Sequence, residues 1–173
     1  VHADHITGSD AIRCKTGAKV VYGSKTGVKG ADILLEDNDT LEIGNHRIQV
    51  LHTPGHTSGC TSYYIKGYIF TGDTLFIEGT GRTDFQGGSS SDTYESVTKK
   101  IYNVPNDTIV YPGHNYNGFT CSTIAEEKKA NPNVGLHIPK EDFLASEAKK
   151  KRPYPKRFDI AVPANMKCGK VDK

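Results

Sequence analysis

The chain has 173 residues, of which 35% are apolar and 24% charged, with a formal net charge of +2. That length supports one domain with a real core, and the balance argues against both disorder and a purely electrostatic nucleic-acid binder. No apolar run approaches the roughly 20 residues that cross a bilayer, since stretches such as YYIKGYIF are broken by Lys66 and Gly67. A soluble intracellular domain is the expectation. Cys14, Cys60, Cys121 and Cys168 form no CxxC pair and read as reduced thiols. The chain opens on Val1 with no apolar leader behind it, so any targeting sequence is expected upstream of this point.

In chain order, TGSDAIRCKTG reads as a short helix, with Thr7 and Ser9 as candidate caps and Gly17 as its stop. KVVYG reads as a strand. DTLEIGNHRIQVLH alternates apolar and polar residues on both sides of Gly44-Asn45, and TSYYIKGYIFTGD does so around Lys66-Gly67, so two hairpins are expected. Helical signals follow in SSSDTYESVTKKIYN, where Tyr94, Val97 and Ile101 share a face. TIVYPG is again a strand. Thr123 and Glu126 have capping-box spacing before a helix that Pro132 ends, and KEDFLASEAKKK is a further helix closed by Pro153. Strands first and strand–helix alternation later predict a layered α/β or α+β sandwich with mixed sheets. The Gly- and Ser-rich GTGRTDFQGGSSS is too short for a linker and reads as an active-site loop.

Four stretches carry metal-capable side chains: HADH with His2, Asp4 and His5, TPGH with His56, TGD with Asp73, and YPGH with His114. Each alone is weak, since a histidine after Pro-Gly commonly serves only a capped turn. Together they gain weight, because His56, Asp73 and His114 each follow a strand-like run and a glycine turn that can aim a side chain into one cleft. Imidazole with carboxylate suits a borderline divalent ion such as Zn or Fe(II), and thiolate sites are not indicated.

HxDH followed by TPGHTSGC, FTGDTLF and YPGHNY resembles the metallo-β-lactamase superfamily. TGDTLFIEGTGRTDFQGG, YPGHNYNGFT and FDIAVPANMKCG are similar, within it, to the ETHE1 group of persulfide dioxygenases. The resemblance implies a four-layer αββα sandwich. Against the superfamily's HxHxDH motif, the first histidine falls immediately before Val1, so this single domain is expected to lack its first strands and one ligand.

The resemblance further implies one Fe(II) per site, held by that first histidine with the matching His56 and Asp73, the catalytic pair; zinc is the alternative metal. His2 is the nearest imidazole able to substitute, while Asp4, His5 and His114 match the second metal position of binuclear hydrolases and are expected to hydrogen-bond around one iron. The implied reaction takes glutathione persulfide and dioxygen to sulfite and glutathione. Arg82 and Tyr116 are the implied substrate contacts; their bland alternatives are a pairing of Arg82 with Asp84 and simple ring packing of Tyr116. Relatives imply a homodimer, mitochondrial in a eukaryote and cytoplasmic in a bacterium. Two other functions stay open: a binuclear zinc hydroxyacylglutathione hydrolase like glyoxalase II, and a non-catalytic module of the same fold. Cys168 reads as lining the pocket or as a passive buried thiol. The basic cluster from Lys149 to Arg157 reads as a solvated helix end, with no nucleic-acid or membrane partner expected.

Overall fold

The computed structural model describes residues 1–171. From the N-terminus its elements are α1 (Ser9–Thr16), β1 (Val21–Gly23), β2 (Ile33–Leu35), β3 (Thr40–Ile43), β4 (His46–His52), β5 (Thr61–Ile65), β6 (Tyr68–Gly72), α2 (Ser90–Lys99), β7 (Ile109–Pro112), β8 (Ser122–Thr123), α3 (Ile124–Ala130), α4 (Lys140–Lys149) and α5 (Phe158–Asn165). They form two units: a terminal unit of Val1–Glu36 with the segment from Lys151 onward, and a central unit of Asp37–Lys150.

The central unit is built on a six-stranded sheet in the order β3-β4-β5-β6-β7-β8. Its first four strands are the two expected hairpins, closed by Gly44-Asn45 between Ile43 and His46 and by Lys66-Gly67 between Ile65 and Tyr68. Next, β7 pairs parallel to β6. A parallel neighbour needs a crossover rather than a tight turn, and α2 provides it. Ser89 caps α2 by accepting the Asp92 N–H at 3.2 Å. The capping box at α3 forms as its spacing requires, with Thr123 and Glu126 each accepting the other's backbone N–H at 3.2 and 2.8 Å.

Alternation along β6 decides what each face of the sheet meets. Ile69 and Thr71 are buried, and Ile69 packs with Leu51, Val110 and the helix residues Val97, Ile124 and Phe143 in one core. Tyr68 and Phe70 point the other way, where both rings stack near Tyr111, at 6.2 and 5.7 Å between centroids. Tyr94, Val97 and Ile101, read as one helical face, all pack in or against the core, although Ile101 sits in a 3₁₀ turn just past α2.

In the terminal unit β1 and β2 pair parallel around a small core of Val20, Val28 and Cys168. Cys168 is fully buried, and burial pushes its thiol pKa up, in keeping with the passive reading. The expected side-chain cap of α1 does not form. Its N-cap is Gly8, and Thr7 instead accepts the Ser9 N–H at 3.3 Å and pairs with the Ser9 hydroxyl at 2.7 Å. Asp32 ties this unit together by accepting the Val20 N–H at 2.7 Å and an Arg13 N–H at 3.3 Å. The Val20 bond, ahead of the Arg13 pairing, holds the Asp32 carboxyl below its ordinary range.

Two outcomes test this account. Ile69→Ala should cost about 2–5 kcal/mol in urea unfolding, and its neighbour Phe70→Ala less than half as much, because only Ile69 leaves a cavity in the core. Ionised Asp32 stabilises the fold at neutral pH, and that contribution is lost as pH falls through the depressed folded-state pKa. Asp32→Asn should therefore flatten the acid limb of stability measured between about pH 6 and about pH 3.

Candidate metal centre

The central unit delivers three of the expected side chains to the ends of its strands. His56 follows β4 through Thr53-Pro54-Gly55. A Cβ on Gly55 would lie 2.1 Å from the Thr93 hydroxyl and 2.5 Å from the Thr93 backbone, and its φ of 146° also favours glycine. Only glycine lets this turn press against the first turn of α2. Asp73 follows β6 and His114 follows β7; because the two strands are parallel neighbours, their C-terminal ends lie side by side. The Gly113 N–H donates to the Gly72 carbonyl at 2.8 Å, which fixes that alignment.

His56 donates Nδ1–H to the Arg82 carbonyl at 2.8 Å. A carbonyl can only accept, so this bond sets the tautomer and leaves the Nε2 lone pair facing outward from it. That Nε2 lies 3.5 Å from Asp73 Oδ2, and Asp73 is only 6% exposed. The other carboxylate oxygen, Oδ1, accepts from His114 Nδ1 at 2.7 Å. Asp73 thus stands between two imidazoles, one oxygen turned to each.

Glycine makes room for this pair. A Cβ on Gly113 would lie 2.7 Å from Asp73 Oδ1, and one on Gly81 would lie 2.1 Å from the Asp73 carbonyl oxygen and 3.1 Å from His56 Nδ1. The glycines beside the histidines and the aspartate therefore do two jobs, turning the chain and admitting the polar groups.

The donors fit a divalent ion. Two ligand atoms each about 2.1 Å from one ion stand about 3.0 Å apart at adjacent octahedral positions and about 3.4 Å apart in a tetrahedron. The 3.5 Å between His56 Nε2 and Asp73 Oδ2 suits both. One nitrogen and one oxygen match a borderline metal, and the bond from His56 to the Arg82 carbonyl is the kind of outer contact that orients such a ligand.

Arg82 itself takes the blander of its two readings in this structure. Its Nε and one terminal nitrogen donate to the two oxygens of Asp84 at 2.8 and 2.9 Å, and its guanidinium lies 5.3 Å from the Phe85 ring centre. Tyr116 is 77% exposed and stacks parallel on His114, with 5.7 Å between ring centres and 2° between planes. Phe76 meets both rings edge-on, at 6.0 and 5.8 Å. In the terminal unit, Asp4 Oδ1 pairs with His5 Nδ1 at 2.8 Å, and the His2 and His5 rings stack at 5.9 Å.

The groups that hold the Arg82 loop escaped the sequence reading. Buried Glu127 accepts the Glu78 N–H at 3.0 Å, and Asn131 donates to the Gly79 carbonyl at 3.2 Å and to Glu127 at 2.7 Å. Thr83 is tied to Ser90 at 2.7 Å and to Glu147 at 3.3 Å. Their one sequence signal is the helical i,i+4 spacing of Glu127 and Asn131. Thr53, Ser62 and Thr74 form a buried, internally bonded hydroxyl cluster, with Thr53 to Ser62 at 2.8 Å and Thr74 to the Thr53 carbonyl at 3.0 Å.

Comparison with known proteins places this geometry. Residues 1–114, ending on His114, match the family model of the Metallo-beta-lactamase superfamily. The chain is 42% identical over 171 residues to "Persulfide dioxygenase ETHE1, mitochondrial" of Homo sapiens, a match covering 97% of this chain and 66% of that protein. It therefore spans just under two thirds of that relative's length. Among solved structures, ETHE1 from Myxococcus xanthus superposes with a TM-score of 0.94 at 46% identity, covering 98% of this chain and 75% of the other. A "Hydroxyacylglutathione hydrolase" of Brucella anthropi is 39% identical over 119 residues, 66% of this chain and 45% of that protein. The chain belongs to the metallo-beta-lactamase superfamily, and its mixed sheet with flanking helices is that superfamily's fold.

Proposed function

We propose that this protein is a persulfide dioxygenase that uses one iron ion to oxidise glutathione persulfide. The observation that supports a metal in this reading is the donor pair His56 Nε2 and Asp73 Oδ2, 3.5 Å apart. His114 holds the other carboxylate oxygen by its 2.7 Å bond to Oδ1, the kind of outer contact that orients a ligand. The similarity to ETHE1 proteins, at 42% and 46% identity, supports the same reaction class.

Bound Fe(II) supplies the redox capacity that zinc lacks, together with open positions for a sulfur and for dioxygen. The reaction consumes one glutathione persulfide, one dioxygen and one water. The outer sulfur gains three oxygens and leaves as sulfite, the sulfur–sulfur bond breaks, and the inner sulfur departs as the thiol of glutathione while dioxygen is reduced.

The chain's own residues orient and exclude. The Arg82 carbonyl keeps the His56 ring in one tautomer, and His114 keeps the Asp73 carboxylate from rotating. The Tyr116 ring stacks on His114 and Phe76 meets both edge-on, which holds the His114 imidazole in one orientation. Arg82 is the cation for a glutathione carboxylate, which competes with Asp84 for the same guanidinium fork. If the protein is eukaryotic, the mitochondrion is its expected compartment, in line with the human relative's name.

Iron analysis with oxygen-uptake and sulfite assays on glutathione persulfide tests the proposal. Iron near one per chain and sulfite formed in step with oxygen consumed are expected. Zinc alone, with hydrolysis of a lactoyl-glutathione thioester and no oxygen uptake, would replace this reading with the hydrolase one. Asp73→Ala should abolish both iron retention and sulfite formation.

Arg82→Ala removes the guanidinium but keeps the carbonyl that orients His56. It should raise KM on the order of 10- to 100-fold, the worth of a charged hydrogen-bond pair, with iron content unchanged. Asp84→Asn should move KM the opposite way, by freeing the fork. An unchanged KM in both variants removes Arg82 from the substrate site.

A further inference from the structure

Residues 2–7 carry the HADH motif, yet they form neither helix nor strand, so no ladder of backbone bonds fixes them. One side chain does that instead. Asn165 ends α5 and is 3% exposed. Its side-chain nitrogen donates to the carbonyls of His2 at 2.9 Å and His5 at 2.8 Å, and its oxygen accepts the Thr7 N–H at 2.9 Å. Both N–H donors and the carbonyl acceptor of the amide are thereby spent on one short segment.

The residues after Asn165 extend the grip. The Met166 carbonyl accepts from Lys29 N–H at 2.8 Å, and the Cys168 carbonyl accepts from Asp10 N–H at 2.9 Å at the start of α1. Gly169, at φ 88°, lies so close to Thr7 that a Cβ there would stand 2.0 Å from the Thr7 carbonyl oxygen. The ANMKCG string thus has a physical role that no metal ligand demands of it: it is a clamp for the histidine segment.

We propose that Asn165 is a positioning residue for the imidazoles of His2 and His5, on whose directions the metal affinity of the protein depends. The two rings stack on each other at 5.9 Å, and the same amide holds both of their carbonyls, so losing it frees the two side chains together. The link to affinity rests on the reading that this segment serves a metal centre; the link to ring direction does not.

Asn165→Asp is the informative variant. It keeps size and the acceptor for Thr7 but turns an anionic oxygen toward two carbonyl oxygens. Asn165→Leu removes all three bonds, and Val28→Ala, which thins the small core of the same unit but removes none of the three, is the control for general loosening. Cobalt(II) titration should show both Asn165 variants weakened roughly 10- to 100-fold, with Val28→Ala within about twofold of wild type. In ring-selective NMR of the metal-free protein, the His2 and His5 signals should shift in Asn165→Asp while those of His46 and His137 stay.

Wild-type affinity in a folded Asn165→Asp, or equal weakening by Val28→Ala at matched loss of thermal stability, overturns the link to affinity; unshifted His2 and His5 signals overturn the positioning role itself. A wild-type protein that binds no cobalt(II) overturns the metal reading, and the ring signals alone then decide the role of Asn165. Should neither Asn165 variant fold, the wild-type side-chain amide protons of Asn165 serve as the readout. Slow exchange is expected, and exchange as fast as that of exposed Asn45 counts against the clamp.

Discussion

The carboxylate of Asp73 is the hinge of the central unit's chemistry, because it is buried and its two oxygens face different partners. A buried carboxylate is costly unless each oxygen is matched. His114 matches Oδ1, and His56 Nε2 lies 3.5 Å from Oδ2. Everything else near the site can be read as protecting that arrangement: the parallel ends of β6 and β7 set the spacing, Gly81 and Gly113 clear the space, and the Arg82 carbonyl turns His56 to face it. A methyl group at either glycine would displace the aspartate before it touched any substrate.

Support for the loop after β6 comes from groups distant in the chain. Glu127, midway along α3, and Asn131, just past its end, hold the backbone at Glu78 and Gly79, and Glu147 of α4 reaches Thr83. The Arg82 carbonyl and side chain both sit on this loop, so one stretch of backbone serves the His56 imidazole and the guanidinium together. Such dual use explains why a loop rich in glycine and threonine can still present its groups in fixed directions: its rigidity is borrowed from helices.

How much of this was legible in the sequence depended on whether the signal was local. The hairpins around Gly44-Asn45 and Lys66-Gly67 announced themselves through alternation and turn chemistry, and the Thr123–Glu126 box through its spacing. His56, Asp73 and His114 were legible because each follows a strand and a glycine. Two short strands, β2 and β8, were not, since three and two residues carry no usable period. Pro163 hid α5, since a proline at the sixth position of an eight-residue helix has no N–H for its i−4 bond. Asn165, Glu127 and Glu147 were hard to read for a different reason: each bonds to a residue far away in sequence, and such contacts leave no pattern that points to the partner.

The parallel pairing of β6 with β7 has a consequence for how the protein comes to exist. Antiparallel neighbours can zip up from a tight turn, but these two strands can meet only after the intervening loop and α2 have been laid across the sheet, an entropic closure that delays long-range pairing. Asp73 and His114 ride on the two ends that close last. A nascent or partly unfolded chain therefore holds its hairpins before it holds its carboxylate–imidazole pair, and the candidate metal centre ripens only with the finished sheet.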